Sequence, residues 1–185
     1  MYLTEKIYLH PIAPYRYDTA RVAVPTVGDY STVRFDRNEY SVPVRFLRKS
    51  VTVKGYANRV VIICDADTIV TYERLSGQGK TAYKLEHYIG LLERKPRSVF
   101  QAKPVRQTIK KEILELRKQL PGGNKDMVRL LRMCIDYGEN RVLLTKSCIP
   151  AGITPTVDII RSYLEEPEKI TAISFPSEVH ITPTN

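Results

Sequence analysis

Ser50-Val-Thr-Val-Lys54, Arg59-Val-Val-Ile-Ile-Cys64 and Thr68-Ile-Val-Thr-Tyr-Glu73 are short runs rich in β-branched residues, and their reading decides the fold of the first half of this chain. Gly55-Tyr-Ala-Asn58 and Asp65-Ala-Asp67 separate them, residues that favour tight turns. Alternation sets the faces: Val51 and Val53 point to a core while Thr52 and Lys54 point to water. Working back toward the N-terminus, Glu39-Tyr-Ser-Val42, Ser31-Thr-Val-Arg-Phe35 and Arg21-Val-Ala-Val-Pro-Thr-Val27 continue the pattern, with turns at Asp36-Arg-Asn38 and Val27-Gly-Asp29. Val33 and Phe35 share one face, with Thr32 and Arg34 opposite. Pro25 marks the first run as an edge or bulged strand, because proline cannot donate to a ladder. Six strands spaced about ten residues apart predict a small closed antiparallel β-barrel, since closure removes the exposed edges of short strands.

Working forward, Ser76-Gly-Gln-Gly79 breaks the β pattern, and Leu85-Glu-His-Tyr-Ile-Gly-Leu-Leu92 has helical spacing that must stop before Pro96. Beyond a basic stretch, Ile109, Ile113, Leu116 and Leu120 recur at helical intervals until Pro121-Gly-Gly123. Asn124 is placed to cap a second helix running to Tyr137, with Met127, Leu130, Leu131 and Cys134 on its buried face and Gly138 at its end. A third helix covers Glu139 to Cys148, with Val142, Leu143 and Leu144 as its apolar residues. A fourth, capped by Thr154 with Pro155 at its first position, runs to Leu164. The expected organisation is an N-terminal arm (1–20), a β-barrel with a closing short helix (21–93), a basic linker (94–104), a small α-helical bundle (105–165) and an extended or disordered tail (166–185).

The chain has 185 residues, 29 Lys+Arg and 20 Asp+Glu, a net charge of +9. Met1 to Thr108 holds 18 basic and 10 acidic residues, so nearly all of the excess lies in the β half and the segment after it. Such an excess, gathered on one surface, fits an anionic partner; spread out, it is a solvated face. The densest cluster is Arg94, Lys95, Arg97, Lys103 and Arg106, interleaved with Pro96 and Pro104. No run approaches the roughly 18 apolar residues of a membrane span and no signal peptide is visible, so a soluble, cytoplasmic protein is expected. Cys64, Cys134 and Cys148 are too few and too far apart for a disulfide framework, and read as buried thiols.

The catalytic motifs fail. Gly77-Gln-Gly-Lys-Thr81 ends like a phosphate-cradling loop, but Arg74 stands where its first glycine belongs, so an inter-strand loop is expected. Asp65 and Asp67 read as turn residues rather than metal ligands. His10, His87 and His180 lack neighbours at ligand spacing, and no nucleophile–base order is present. Tyr40, Tyr56 and Tyr72 lie among Arg37, Arg45, Arg59 and Arg74, which leaves stacking on bases open beside a core or rim role.

Val33-Arg-Phe-Asp-Arg-Asn-Glu-Tyr-Ser-Val-Pro43, Val51-Thr-Val-Lys54, Arg59-Val-Val-Ile62 and His87-Tyr88 followed by Leu91-Leu-Glu-Arg-Lys-Pro96 resemble the C-terminal region of IstA-type insertion-sequence transposases, relatives of the phage Mu transposase. The D-x-N-x-Y-S-V-P signature matches as Asp36, Asn38, Tyr40, Ser41, Val42 and Pro43. The likeness continues through Asp126-Met-Val128, Gly138, Val142 and Cys148 to Leu164 and weakens after about Pro167.

The resemblance implies a Mu-type β-barrel and a small helical domain that follow an integrase-like core. That core's D-D-E carboxylates hold two Mg²⁺ ions for strand transfer. The triad cannot be placed here, so the chain is expected to be a non-enzymatic C-terminal fragment needing no cofactor of its own. The resemblance further implies non-sequence-specific binding of double-stranded DNA, assembly with other transposase subunits and communication with an AAA+ helper ATPase. A module that docks the ATPase or another subunit without touching DNA is the alternative. The candidate phosphate contacts are Arg34, Arg37, Arg45, Arg48, Lys49, Lys54 and Arg59 on the barrel and Arg94, Lys95 and Arg97 in the linker. The loop Arg45-Phe-Leu-Arg-Lys49 is the favoured contact point.

Overall fold

A computed structural model describes residues 17–150 and 152–166; most of the expected arm and nearly all of the expected tail lie outside the described residues. Among the described residues seven strands come first: β1 (Arg21–Ala23), β2 (Thr32–Phe35), β3 (Asn38–Ser41), β4 (Thr52–Gly55), β5 (Arg59–Cys64), β6 (Asp67–Glu73) and β7 (Thr81–Ala82). Six α-helices follow among the described residues: α1 (Ile89–Arg94), α2 (Lys103–Thr108), α3 (Lys111–Glu115), α4 (Gly123–Tyr137), α5 (Glu139–Cys148) and α6 (Val157–Glu165).

Among the described residues the β half forms no closed barrel. Its strands form a four-stranded antiparallel sheet in the order β1-β4-β5-β6 and a separate three-stranded sheet in the order β2-β3-β7, in which β3 and β7 run parallel. Periodicity reports which face of a strand is buried, but not which strand lies beside it, and the two-residue β7 was too short to show a pattern at all. Two hairpins carry most of the pairing. Asp36 and Arg37 join β2 to β3 with φ of 50° and 61°, and Asp65 and Ala66 join β5 to β6 with φ of 51° and 69°. Left-handed backbone at both central residues is the turn whose twist matches antiparallel strands. Pro25 sits beyond the edge strand β1 and offers only its carbonyl, which accepts from the Val51 N–H at 3.0 Å.

Val33, Phe35 and Tyr40 of the smaller sheet bury with Val53, Val60 and Ile62 of the larger, so the two sheets close on one apolar core instead of curling into one surface. Phe35 lies directly against Gly55: a Cβ there would sit 2.3 Å from two of its ring carbons. The second core belongs to the helices, centred on α4 with Met127, Leu130 and Leu131 buried. Each such side chain contributes about 1.5–3 kcal/mol by leaving water.

Several helix boundaries move. The expected helix over 85–92 starts with a 3₁₀ turn at Leu85–His87 before α1. The periodic run from Ile109 to Leu120 is buried as expected at Ile109, Ile113, Leu116 and Leu120, yet it is split into α3 and a 3₁₀ turn at Leu116–Lys118. α2 was hidden by its own Pro104, which fits within the first turn of a helix. Asn124 lies inside α4 instead of capping it; the Asp126 carboxylate accepts the Gly122 N–H at 2.8 Å. Thr156, not Thr154, caps α6, its hydroxyl accepting the Ile159 N–H at 3.2 Å. Leu144 is exposed, and Cys148 is half-buried where a buried thiol was expected.

Gly55→Ala tests the close approach of the two sheets. The added methyl must displace the Phe35 ring, and the expected loss is about 1–3 kcal/mol of unfolding free energy. A urea titration checks this, and an unchanged midpoint contradicts the packing.

Candidate nucleic-acid interface

The signature residues 36 to 43 turn inward. Asn38 donates from its amide to the Gly77 carbonyl at 2.8 Å and accepts the Lys80 N–H at 3.0 Å, pinning the loop after β6 to the β2–β3 hairpin. Tyr40 is fully buried, and its hydroxyl accepts the Leu75 N–H at 3.1 Å. The Val42 N–H donates to the Ser31 carbonyl at 2.9 Å, and the Pro43 carbonyl accepts the Phe46 N–H at 2.9 Å, which begins the next turn.

Ser41 is the hub. Its hydroxyl lies 2.7 Å from the Tyr72 hydroxyl and 2.8 Å from His87 Nδ1, and accepts the Lys84 N–H at 3.0 Å. The Tyr72 hydroxyl donates to the Ser41 carbonyl at 2.7 Å. One proton arrangement satisfies all four contacts: Ser41 donates to the Tyr72 oxygen, and His87 donates from Nδ1 to Ser41. Burial, aided by the Lys84 ammonium, holds the His87 pKa down at about 4, so the ring is neutral at pH 7. One residue on, the Tyr88 hydroxyl donates to the Tyr30 carbonyl at 2.9 Å. Leu85, at the start of this turn, packs into the helical core. The Leu85–Tyr88 segment is therefore the joint between the two halves.

The basic residues turn outward. Arg48 pairs with Asp29 at 3.2 Å, Lys54 with Asp18 at 2.8 Å, and Arg34 reaches Glu39, its cross-strand partner, at 3.9 Å. The Lys54 contact lowers the Asp18 pKa and raises that of Lys54. Arg37, Arg45, Lys49, Arg59, Arg94, Lys95 and Arg97 make no ion pair among the described residues. In the loop after Pro43, the Arg45 guanidinium and the Lys49 ammonium lie 4.9 and 5.8 Å from the centre of the Phe46 ring, which brings two charges to one aromatic side chain. Arg59 lies 4.7 Å from the centre of the Tyr56 ring. Arg94, Lys95 and Arg97 line a concavity of about 580 Å³ with Pro96, Ser98 and Gln101, with no acidic residue in its wall. Tyr40 and Tyr72 are buried and unavailable for stacking on bases; Tyr56 is half-buried beneath Arg59.

Residues 12–84 match the family described as Mu transposase, C-terminal domain. That segment is thus similar to the C-terminal domain of the Mu transposase. It is also distantly homologous to the IS1326/IS1353 insertion-sequence transposases. It is 26% identical over 165 residues to those of Pseudomonas aeruginosa and of Shigella flexneri, which covers 83% of this chain and 32% of each relative. A transposase of Aminobacter aminovorans is 28% identical over 122 residues, covering 60% of this chain and 23% of that protein. The chain thus spans about a third of the length of the first relatives it matches. No solved structure matches it.

Among the described residues no group of three or more His, Cys, Asp or Glu side chains could hold a metal ion. Nor is any described helix long and apolar enough to cross a membrane.

Sequence reasoning missed Arg21 and Arg74, which both bind Asp36, Arg21 at 2.6 Å. Neither is within reach of Asp36 along the chain, so nothing local signalled the cluster.

Two measurements test the joint. Ser41→Ala leaves Tyr72, His87 and the Lys84 N–H short of a partner and is expected to cost about 2–4 kcal/mol in denaturant unfolding; a wild-type midpoint contradicts the hub. For His87 the folded pKa is depressed, so below about pH 6.5 the unfolded chain takes a proton that the folded one refuses until about pH 4. Stability is expected to hold above pH 7 and to fall between pH 6.5 and 4 by up to about 3 kcal/mol, a loss that His87→Gln removes.

Proposed function

We propose that this chain serves a transposase as a DNA-contacting and assembly module, gripping duplex through phosphates and not through base edges. The observation that carries this reading is the concavity of Arg94, Lys95 and Arg97, whose charges have no carboxylate in the wall to satisfy them. Cations of this kind, left without internal partners, gain most from a polyanion, because each phosphate contact releases condensed counterions. The aromatic-backed pair Arg45 and Lys49 and the stacked Arg59 extend the same chemistry over the β half. The names of the relatives, all transposases, support placing that contact in DNA transposition. Strand transfer itself, with the Mg²⁺ it would require, is assigned to another part of such an enzyme.

A second role, with protein partners, draws on single exposed side chains. Leu91, Leu144 and Ile153 expose large apolar side chains on the helical half, which suits docking of another transposase subunit or of an AAA+ helper ATPase. The two roles are compatible on one chain.

Fluorescence anisotropy with 20-base-pair duplexes of two unrelated sequences, at several salt concentrations, tests the proposal. With about six phosphates neutralised, log affinity is expected to fall against log salt with a slope of roughly −5 for both sequences. Replacing Arg94, Lys95 and Arg97 together by alanine should make the slope shallower by roughly 2–3. A flat salt response of the wild-type chain contradicts the reading.

A further inference from the structure

The tip of the β2–β3 hairpin and the loop after β6 enclose a cavity of about 840 Å³ whose wall includes Arg21, Asp36, Arg37, Arg74, Gly77 and Gln78. Its size is near the upper end of pockets that take small molecules. Three arginines and one carboxylate line it. Arg21 and Arg74 both bind Asp36, and Arg74 is further anchored by donating to the Tyr56 carbonyl at 2.8 Å. Arg37 reaches only the neutral Gln78 side chain, at 3.0 Å. One carboxylate balances one guanidinium, so the wall keeps an excess of two positive charges.

The surroundings hold these groups in place. Both residues of the turn are left-handed, Asn38 fastens the loop to the hairpin, and the Gly79 N–H donates to the Arg37 carbonyl at 2.9 Å. Gly77 and Gly79 take left-handed φ of 81° and 73° in that loop. A structural salt bridge alone would need Asp36 and one arginine. The second arginine on Asp36 and the third beside it, with most of their planar donors unused, instead match the oxygens of a phosphate group.

We propose that Arg21, Arg37 and Arg74 form a phosphate-binding subsite that takes a phosphodiester of the duplex backbone, with Asp36 as the positioning carboxylate that aims two of the guanidinium groups. The proposal rests on the DNA-binding reading above and specifies where one part of that contact is made. The same phosphate chemistry could be supplied by a free nucleotide, so the experiment separates the two sources.

The full chain is compared with Arg37→Ala, Arg21→Gln, the double variant and Arg161→Ala, a control on α6. Anisotropy is measured with two unrelated 20-base-pair duplexes between 50 and 200 mM NaCl, and melting temperature with and without 1 mM ATP or 1 mM inorganic phosphate. Each single variant is expected to make the salt slope shallower by about 0.9 and the double variant by about 2, equally for both sequences, while Arg161→Ala keeps the wild-type slope. ATP and phosphate are expected to shift the melting temperature of wild type and double variant alike. Arg37→Ala gives up only the bond to Gln78 and carries the test alone if Arg21→Gln disturbs folding. Wild-type slopes in the variants, beside a salt-dependent wild type, overturn the subsite and leave the DNA reading standing. ATP stabilising the wild type but not the double variant, with equal DNA slopes, assigns the cavity to a free nucleotide and overturns the proposal. A wild-type chain without salt-dependent binding overturns the DNA reading itself.

Discussion

The buried Ser41 hydroxyl is the contact on which the rest of the molecule depends. It receives the Lys84 N–H and the His87 ring, and it meets the Tyr72 hydroxyl, so three separate stretches of chain end at one oxygen. Tyr72 belongs to the larger sheet, Ser41 to the smaller, and His87 to the turn that leads into the helices. Satisfying these groups together is obligatory in a buried site, because each would otherwise carry the cost of desolvation without a partner. The turn that carries His87 also ties the two halves together, with Leu85 in the helical core and the Tyr88 hydroxyl on the Tyr30 carbonyl of the β half.

This division of labour accounts for the signature from Asp36 to Pro43. Asn38, Tyr40, Ser41 and Val42 are buried and spent on internal hydrogen bonds or packing, so the residues that carry the family likeness build the scaffold. Asp36 stands between the two roles: it is fixed at the left-handed turn of the hairpin, and it collects Arg21 from β1 and Arg74 from just past β6. Exposed positive charge comes from side chains around that scaffold, namely Arg37, Arg45, Lys49, Arg59 and the Arg94–Arg97 segment. Neighbouring arginines and lysines that find carboxylates, such as Lys54 on Asp18 and Arg48 on Asp29, have part of their charge met within the protein.

How much of this was legible in the sequence follows from the range of each interaction. The buried faces of the runs that hold β2 and β4 were readable because alternation is local, and Val33, Phe35, Val51 and Val53 are all in the core. Both tight turns were readable from Asp36-Arg-Asn38 and Asp65-Ala-Asp67. The division into two sheets in place of the expected barrel was not, since it depends on which strands become neighbours, and the parallel pairing of β3 with the two-residue β7 has no local signal. Helical burial from Ile109 to Leu120 survived even though the helix itself is interrupted, because a 3₁₀ turn continues to place every third or fourth residue on one side. Among the candidate contacts, the sequence supplied the exposed cations but not their partners; Arg21 and Arg74 entered only when folding brought them to Asp36.

The most direct measurement of the central claim, that outward cations meet DNA while the signature residues hold the scaffold, is an NMR titration of the chain, labelled with ¹⁵N-arginine, by a 20-base-pair duplex. The side-chain Nε–Hε resonances of Arg37, Arg45, Arg94 and Arg97 are expected to shift, while those of Arg129 and Arg132, engaged with Asp126 and Asp136 on α4, stay in place. Shifts confined to the α4 arginines, or no shifts at all, would contradict the account.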